Sequence, residues 1–156
     1  YGDWSSDGCS SDLLRPGGRP VITPAAIIGL RGSESLGLAC PGGDVIVQAM
    51  AQVMWQIIEN NLGPQEAVEM PRIAAFNAPS AFHPHPSADR LVYAEKRNDS
   101  SEITLLQERG HNVELWPEFE FDAGSVQVIK SEENSQGEIV LSAGADPRRS
   151  AYALVK

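Results

Sequence analysis

The corner Pro41-Gly42-Gly43-Asp44 and the apolar run from Val45 to Leu62 behind it constrain this chain more than any other stretch. Two glycines ahead of a helical pattern let backbone N–H groups stand exposed at a helix N-terminus, where the helix dipole favours negative charge. Such a corner is either an anion hole or the tight turn before an ordinary capped core helix. Residues 45–62 are apolar almost all round, and Gln48, Gln52, Gln56 and Glu59/Asn60 fall into one narrow stripe, which predicts a mostly buried helix. Asp44 is expected to cap it by accepting from the first-turn N–H groups, and Gly63 followed by Pro64 to stop it.

The chain of 156 residues, 42% hydrophobic, is long enough for one domain with a sizeable core. A formal net charge of −9 with scattered basic residues gives no footprint for a phosphate backbone, so nucleic acid is excluded as a partner. The apolar run 45–62 is interrupted by glutamines and an acid and does not reach the roughly 20 residues of a membrane span. Cys9 and Cys40 have neither CxxC spacing nor a His partner, so no metal site, redox motif or cofactor is indicated, and Cys40 reads as a buried thiol. In His83-Pro84-His85, proline on both sides of His85 and the lack of an acidic or thiol ligand point to a rigid surface loop.

Residues 1–13 have no periodicity and no apolar face. They are set apart as an adapter-derived or disordered segment expected to make almost no packing contacts, with residues 14–156 as the folded unit. After an entry loop at 15–20, a strand over 22–30, a turn at Arg31-Gly32-Ser33-Glu34 and a strand over 35–40 form a hairpin that delivers the chain to the glycine corner. Pro64 starts a second helix over 65–70, ended by Pro71. Residues 72–86 read as irregular and 91–94 as a short strand. Asp99 with Glu102 opens an amphipathic helix over 100–109 that is expected to cover a sheet, with Gly110 following it. Strands over 113–116, 125–130 and 138–143 follow, the last two joined by a turn at 134–137. The acids near these strands read as a solvated face, and Asp146-Pro147-Arg148-Arg149 as a turn whose arginines pin the C-terminus to carboxylates. This order of elements gives an α+β fold with mostly antiparallel strands.

Gly18-Arg19-Pro20, Thr23-Pro24, Pro41-Gly42-Gly43-Asp44, Gln48-Ala49-Met50 with Gln52-Val53, Asn61, and Pro64 to Glu69 with Pro71-Arg72 occur in that order. Glu108-Arg109-Gly110-His111, Ala123-Gly124-Ser125-Val126-Gln127 and Ala145-Asp146-Pro147-Arg148-Arg149 continue the series. From about Arg15 to the end it resembles the C-terminal part of the γ-glutamyltransferase family, in particular its transpeptidase-like acylase branch. The resemblance implies part of the αββα sandwich of N-terminal nucleophile hydrolases. It also implies a precursor that cleaves itself to free a threonine, whose hydroxyl attacks a γ-glutamyl or other acyl amide with its own amino group as base.

By the same resemblance Gly42 and Gly43 are the oxyanion-hole residues. The nucleophilic threonine is expected upstream of Arg15, outside this chain. Thr23 is internal and has no free amine, so the chain alone is expected to be inactive. The implied partners are the missing upstream part of the precursor, that is the large subunit and the start of the small subunit, and a small-molecule γ-glutamyl or acyl amide. Asp44 replaces the serine of true transpeptidases and agrees with the transpeptidase-like branch. Val21-Ile22 stand where a serine pair would hold the glutamate α-carboxylate, which leaves another acyl amide open as substrate. The alternatives are a catalytically dead relative kept as a binding module and a purely structural α+β domain. Localisation, periplasmic or extracellular against cytoplasmic, is left open.

Overall fold

In the computed structural model residues 16–17, 25–81 and 84–154 are described. Gly18-Arg19-Pro20, Thr23-Pro24, His83 and the segment 1–13 with Cys9 lie outside them. The first hairpin is β1 (Ala25–Arg31) and β2 (Glu34–Cys40), paired antiparallel from Ala25 opposite Cys40 to Arg31 opposite Glu34. Gly32 closes the turn at φ 60°, a conformation glycine adopts without penalty. Beyond the corner, a 3-10 turn (Gly43–Val45) leads into α1 (Ile46–Ile58), followed by α2 (Pro64–Glu69). Proline opens α2, and the Glu66 carboxylate reaches back to accept from Gly63 N–H at 3.0 Å.

Two further strands, β6 (Gln127–Glu133) and β7 (Ile139–Ala145), complete an antiparallel sheet in the order β1-β2-β6-β7. One face of this sheet carries Leu38, Cys40 and Val128 into a core with Ile46, Ala49, Met50, Val53 and Ile57 of α1 and Ala67 and Val68 of α2. The close approach of α2 requires Gly144 of β7: a Cβ there would lie 2.4 Å from Pro64 O. The registers place Ile28, Gly37, Ile129 and Ala143 in one row on the opposite face, which no helix among the described residues covers.

A second sheet is built from β3 (Ile73–Ala75), β4 (Leu91–Glu95) and β5 (Asn112–Trp116), with β3 antiparallel and β5 parallel to β4. The parallel pair is joined by α3 (Ser100–Glu108), a crossover helix. Asp99 caps α3 by accepting from Ser101 N–H at 2.8 Å. The expected covering role of α3 needs correction. None of its residues is buried, and only Ile103 and Leu106 are half-buried, so it holds β5 without sealing a core.

The long helix also differs from its predicted form. It ends at Ile58, with Asn61 in a left-handed turn, and only one stripe is buried, while Val47, Trp55 and Ile58 lie exposed. Its glutamine stripe is a connector between sheets. Gln48 donates to Ala75 O and accepts from Ala75 N–H (3.0 and 2.8 Å), and Gln52 does the same with Ile73 (2.9 and 3.0 Å). A primary amide offers one donor and one acceptor side by side, so each glutamine stands in for a neighbouring strand at the edge of β3. Gln65 treats Ala145 at the edge of β7 in the same way (3.1 and 2.9 Å).

Candidate active site

The glycine corner lies where β2 hands over to the 3-10 turn. Gly42 has φ 146° and ψ 9°, Gly43 has φ 63°, and both are values that side-chain-bearing residues rarely adopt. A Cβ on Gly42 would lie 3.0 Å from Val45 Cγ2 and 3.1 Å from Gly124 Cα. Glycine is therefore demanded here by packing as well as by conformation. Among the described residues neither Gly42 N–H nor Gly43 N–H donates a hydrogen bond. The expected role of Asp44 is not met: no side chain caps the turn, and Asp44 Oδ1 accepts from Ala81 N–H at 3.0 Å. Asp44 sits inside the 3-10 turn, two residues past Gly42, the position from which a carboxylate would reach first-turn donors.

The corner rests on the segment 121–126, which begins with a 3-10 turn (Phe121–Ala123). Ser125 N–H donates to Pro41 O at 3.4 Å, and Gly124, at φ 79°, leaves no room for a side chain between Cys40 Sγ and Ala49. Arg72 holds this segment from below, donating from Nη1 to Gly124 O at 2.9 Å and to Ala123 O at 3.3 Å. Its Nη2 bonds Asp146, whose Oδ2 also accepts from Val126 N–H at 2.9 Å.

Arg72 and Asp146 belong to a larger buried cluster with Glu95 and Arg148. Glu95 accepts from Arg148 Nε (2.7 Å) and Nη2 (2.6 Å), Arg72 N–H (3.0 Å), Glu120 N–H (3.0 Å) and Arg97 Nη2 (3.1 Å). Arg148 also donates to Val68 O and Met70 O at the end of α2 (2.8 and 2.9 Å). The four buried residues are two cations and two anions, with the partly exposed Arg97 added at the edge, and the cluster is nearly saturated; among the described residues Arg72 Nε is the guanidinium nitrogen of the buried pair without a partner. Burial pulls the Arg72 guanidinium below its ordinary pKa despite Asp146 beside it. For Arg148 burial acts in the same direction but is outweighed by the bonds and charges of Glu95 and Asp146, which hold its pKa above the ordinary value.

The Asp146-Pro147-Arg148-Arg149 turn pins the C-terminal segment to carboxylates as its sequence suggested, while Arg149 goes to Phe121 O and the Phe121 ring. Sequence reasoning missed Glu95 and Arg72 as members of this cluster. The available signals were a lone acid ending an apolar strand and an arginine straight after the proline that stops α2.

Cys40 is not an activated nucleophile. Its thiol is buried and lies 3.1 Å from Pro41 O as a donor, and burial pushes its pKa up, only partly offset by the bond with Ser125 and the charge of Arg72. Among the described residues no group of three metal-ligating side chains occurs, and no helix is long and apolar enough to cross a membrane.

Two hollows meet at Gly42. One, of 350 Å³, lies at the end of the first hairpin between Ala25, Ala39, Cys40, Ile46 and Gln127. The other, of 680 Å³, runs toward the second sheet, past Asp44, Phe76, Tyr93, Trp116 and Asp122.

The α+β fold, with an antiparallel sheet backed by helices on one face, is similar to that of solved transpeptidase structures. The sequence pattern of the gamma-glutamyltranspeptidase family matches residues 4–155, and the chain belongs to that family. No curated protein sequence matches it. Among solved structures, the transpeptidase enzyme CapD of Bacillus anthracis superposes with a TM-score of 0.70 at 20% identity, over 90% of this chain and 75% of that one. A mutant gamma-glutamyltranspeptidase of Helicobacter pylori gives 0.67 at 23% identity, over 87% and 66%. Gamma-glutamyltranspeptidase of Pseudomonas nitroreducens complexed with L-DON gives 0.66 at 21% identity, over 94% and 68%.

Proposed function

We propose that this chain is the C-terminal part of the small subunit of a γ-glutamyltransferase-like amidohydrolase or acyltransferase, and that Gly42 and Gly43 supply its oxyanion hole. The observation that carries the reading is the pair of N–H groups without partners among the described residues, just before α1, in a corner fixed from beneath by the 121–126 segment. Attack on an amide places negative charge on the former carbonyl oxygen. Donors held in place beforehand stabilise that charge without reorganising, and losing one costs roughly 10²–10³ in kcat elsewhere.

The nucleophile in this reading is a threonine freed by self-cleavage of a precursor, on a segment outside this chain, with its own amino group as base. That upstream segment covers the bare sheet face, where Ile28 is 80% exposed and Leu30, Ile129 and Leu141 line the same side. Such a run of exposed apolar side chains on one sheet face is typical of a surface meant for packing. The acyl group is γ-glutamyl or that of another amide, since Val21-Ile22 offers no hydroxyl to a glutamate α-carboxylate.

Assays with a chromogenic γ-glutamyl anilide and a glutaryl amide test the reading. The chain alone is expected to turn over neither, while the precursor that contains it does so after cleaving itself. Turnover by the chain alone that disappears in Cys40→Ala would overturn it and make Cys40 the nucleophile.

A further inference from the structure

We propose that the 540 Å³ cavity at the end of the four-stranded sheet far from the glycine corner is a binding site for a free α-amino acid with a large apolar side chain. The first hairpin runs from Ala25 opposite Cys40, beside the corner, to Arg31 opposite Glu34, six residue steps away, or about 20 Å at the rise of a strand. The long helix does not follow it to the end. α1 stops at Ile58, Asn61 turns left-handed at φ 54°, and the chain departs into α2, so a cavity opens between the helix end and the last rows of the sheet. Leu36, Met54, Ile57 and Leu62, which pack on or in the core, line its apolar part. A volume of this size accepts a small molecule with one apolar arm.

The rim of the cavity carries both signs of charge in a fixed order. Ser35 lies opposite Ser131 and Leu36 opposite Lys130, so one step further Glu34 comes beside Glu132, on the face that α1 covers nearer the corner. Like charges side by side on a sheet repel. Each carboxylate has one cation of its own: Glu34 Oε2 accepts from Arg31 Nε and Nη2 at 2.9 and 2.7 Å, and Glu132 Oε2 accepts from Lys130 Nζ. Both Oε1 atoms, Arg31 Nη1 and the remaining Lys130 ammonium hydrogens have no partner among the described residues. Two cations and two anions leave the rim neutral. A ligand with a single charge therefore gains from one pair what it loses to the other, whereas a zwitterion gains from both. Its ammonium sits between the two carboxylates, its carboxylate meets Arg31 and Lys130, and its side chain covers Leu36 and Met54. The site is independent of the glycine corner and of the function proposed above.

The three methionines make the test local, since Met54 lines this cavity while Met50 is in the core and Met70 lies beside α2. With methyl-labelled methionine, NMR titrations use L-phenylalanine, 2-phenylethylamine and 3-phenylpropionate, whose rings shift any methyl signal they cover. L-Phenylalanine is expected to move the Met54 signal saturably, to leave Met50 and Met70 in place, and to bind about tenfold more tightly than either singly charged probe. Glu34→Gln with Glu132→Gln retains an oxygen for Arg31 and for Lys130, and is expected to make 3-phenylpropionate the tightest of the three. Arg31→Gln with Lys130→Gln is expected to make 2-phenylethylamine the tightest. Three probes of equal affinity, no saturable shift of Met54, or a ranking that neither double variant changes overturns the site. The ranking on the unaltered chain decides by itself where a variant fails to fold.

Discussion

Beneath the glycine corner, Arg72, Glu95, Asp146 and Arg148 are buried together, whereas on the far side of the four-stranded sheet Ile28, Leu30, Ile129 and Leu141 stand in solvent. Both regions invert the usual distribution of charge and apolar surface. The difference lies in closure. Every charge in the cluster finds its partner within the chain, from segments as far apart as 72 and 146, so the inversion is internally resolved. Among the described residues the apolar face finds none. Buried charge here marks a structural joint closed within the chain, and the exposed apolar face is the surface that the proposed function assigns to a further segment.

The sharpest break of this contrast is Glu95→Ala. It removes the acceptor of five bonds and leaves Arg148 short of a counter-charge in a dry site, and should cost about 3–5 kcal/mol in urea unfolding. A loss near zero would show that the cluster is hydrated and the contrast false. Next in size is a pair of glycine substitutions on opposite faces of the sheet. Gly144→Ala would drive a methyl group into the backbone of Pro64 and should cost roughly 1–3 kcal/mol. Gly37→Ala meets only the side chain of Ile129 at 3.2 Å, which can turn away, and its melting temperature should barely move.

Smaller still is the effect of polar substitutions on the bare face. Ile28→Lys with Ile129→Thr should change unfolding free energy by less than about 0.5 kcal/mol each while suppressing self-association in light scattering. A large destabilisation would mean that this face is already packed. Smallest is the pH effect of Cys40, read in a Cys9→Ser background. Its thiol pKa is raised by burial, so the unfolded chain ionises first. The thiol's contribution is whole below its ordinary value and fades as pH rises toward the raised one. The stability difference between this protein and its Cys40→Ala variant should therefore shrink between pH 7 and pH 10, and a difference constant over that range would contradict the burial argument.

Local chemistry was legible in the sequence. Gly32 and Gly137 placed the hairpin turns, Pro64 the start of α2 and Asp99 the cap of α3, because a turn or cap depends on a few adjacent residues. The periodicity of residues 45–62 announced α1 and its glutamine stripe. The glycine corner was legible as a corner. Its floor was not, since Ala123-Gly124-Ser125 reaches it from some eighty residues away in sequence.

What only the tertiary structure decided was which side of each element faces protein. Alternation in β1 marks two faces but cannot say that the one with Ile28 is bare, and no pattern in α1 says that Val47 and Trp55 are exposed while Gln52 pairs with β3. The three-residue strand β3 has too few residues for a periodic signal and exists through β4 on one side and two glutamine side chains on the other. The same holds for Glu95, an ordinary acid in sequence and wholly buried in the fold. Turn and helix preferences belong to neighbouring residues and are written in the sequence. Burial and pairing belong to partners that the chain brings together only when it folds.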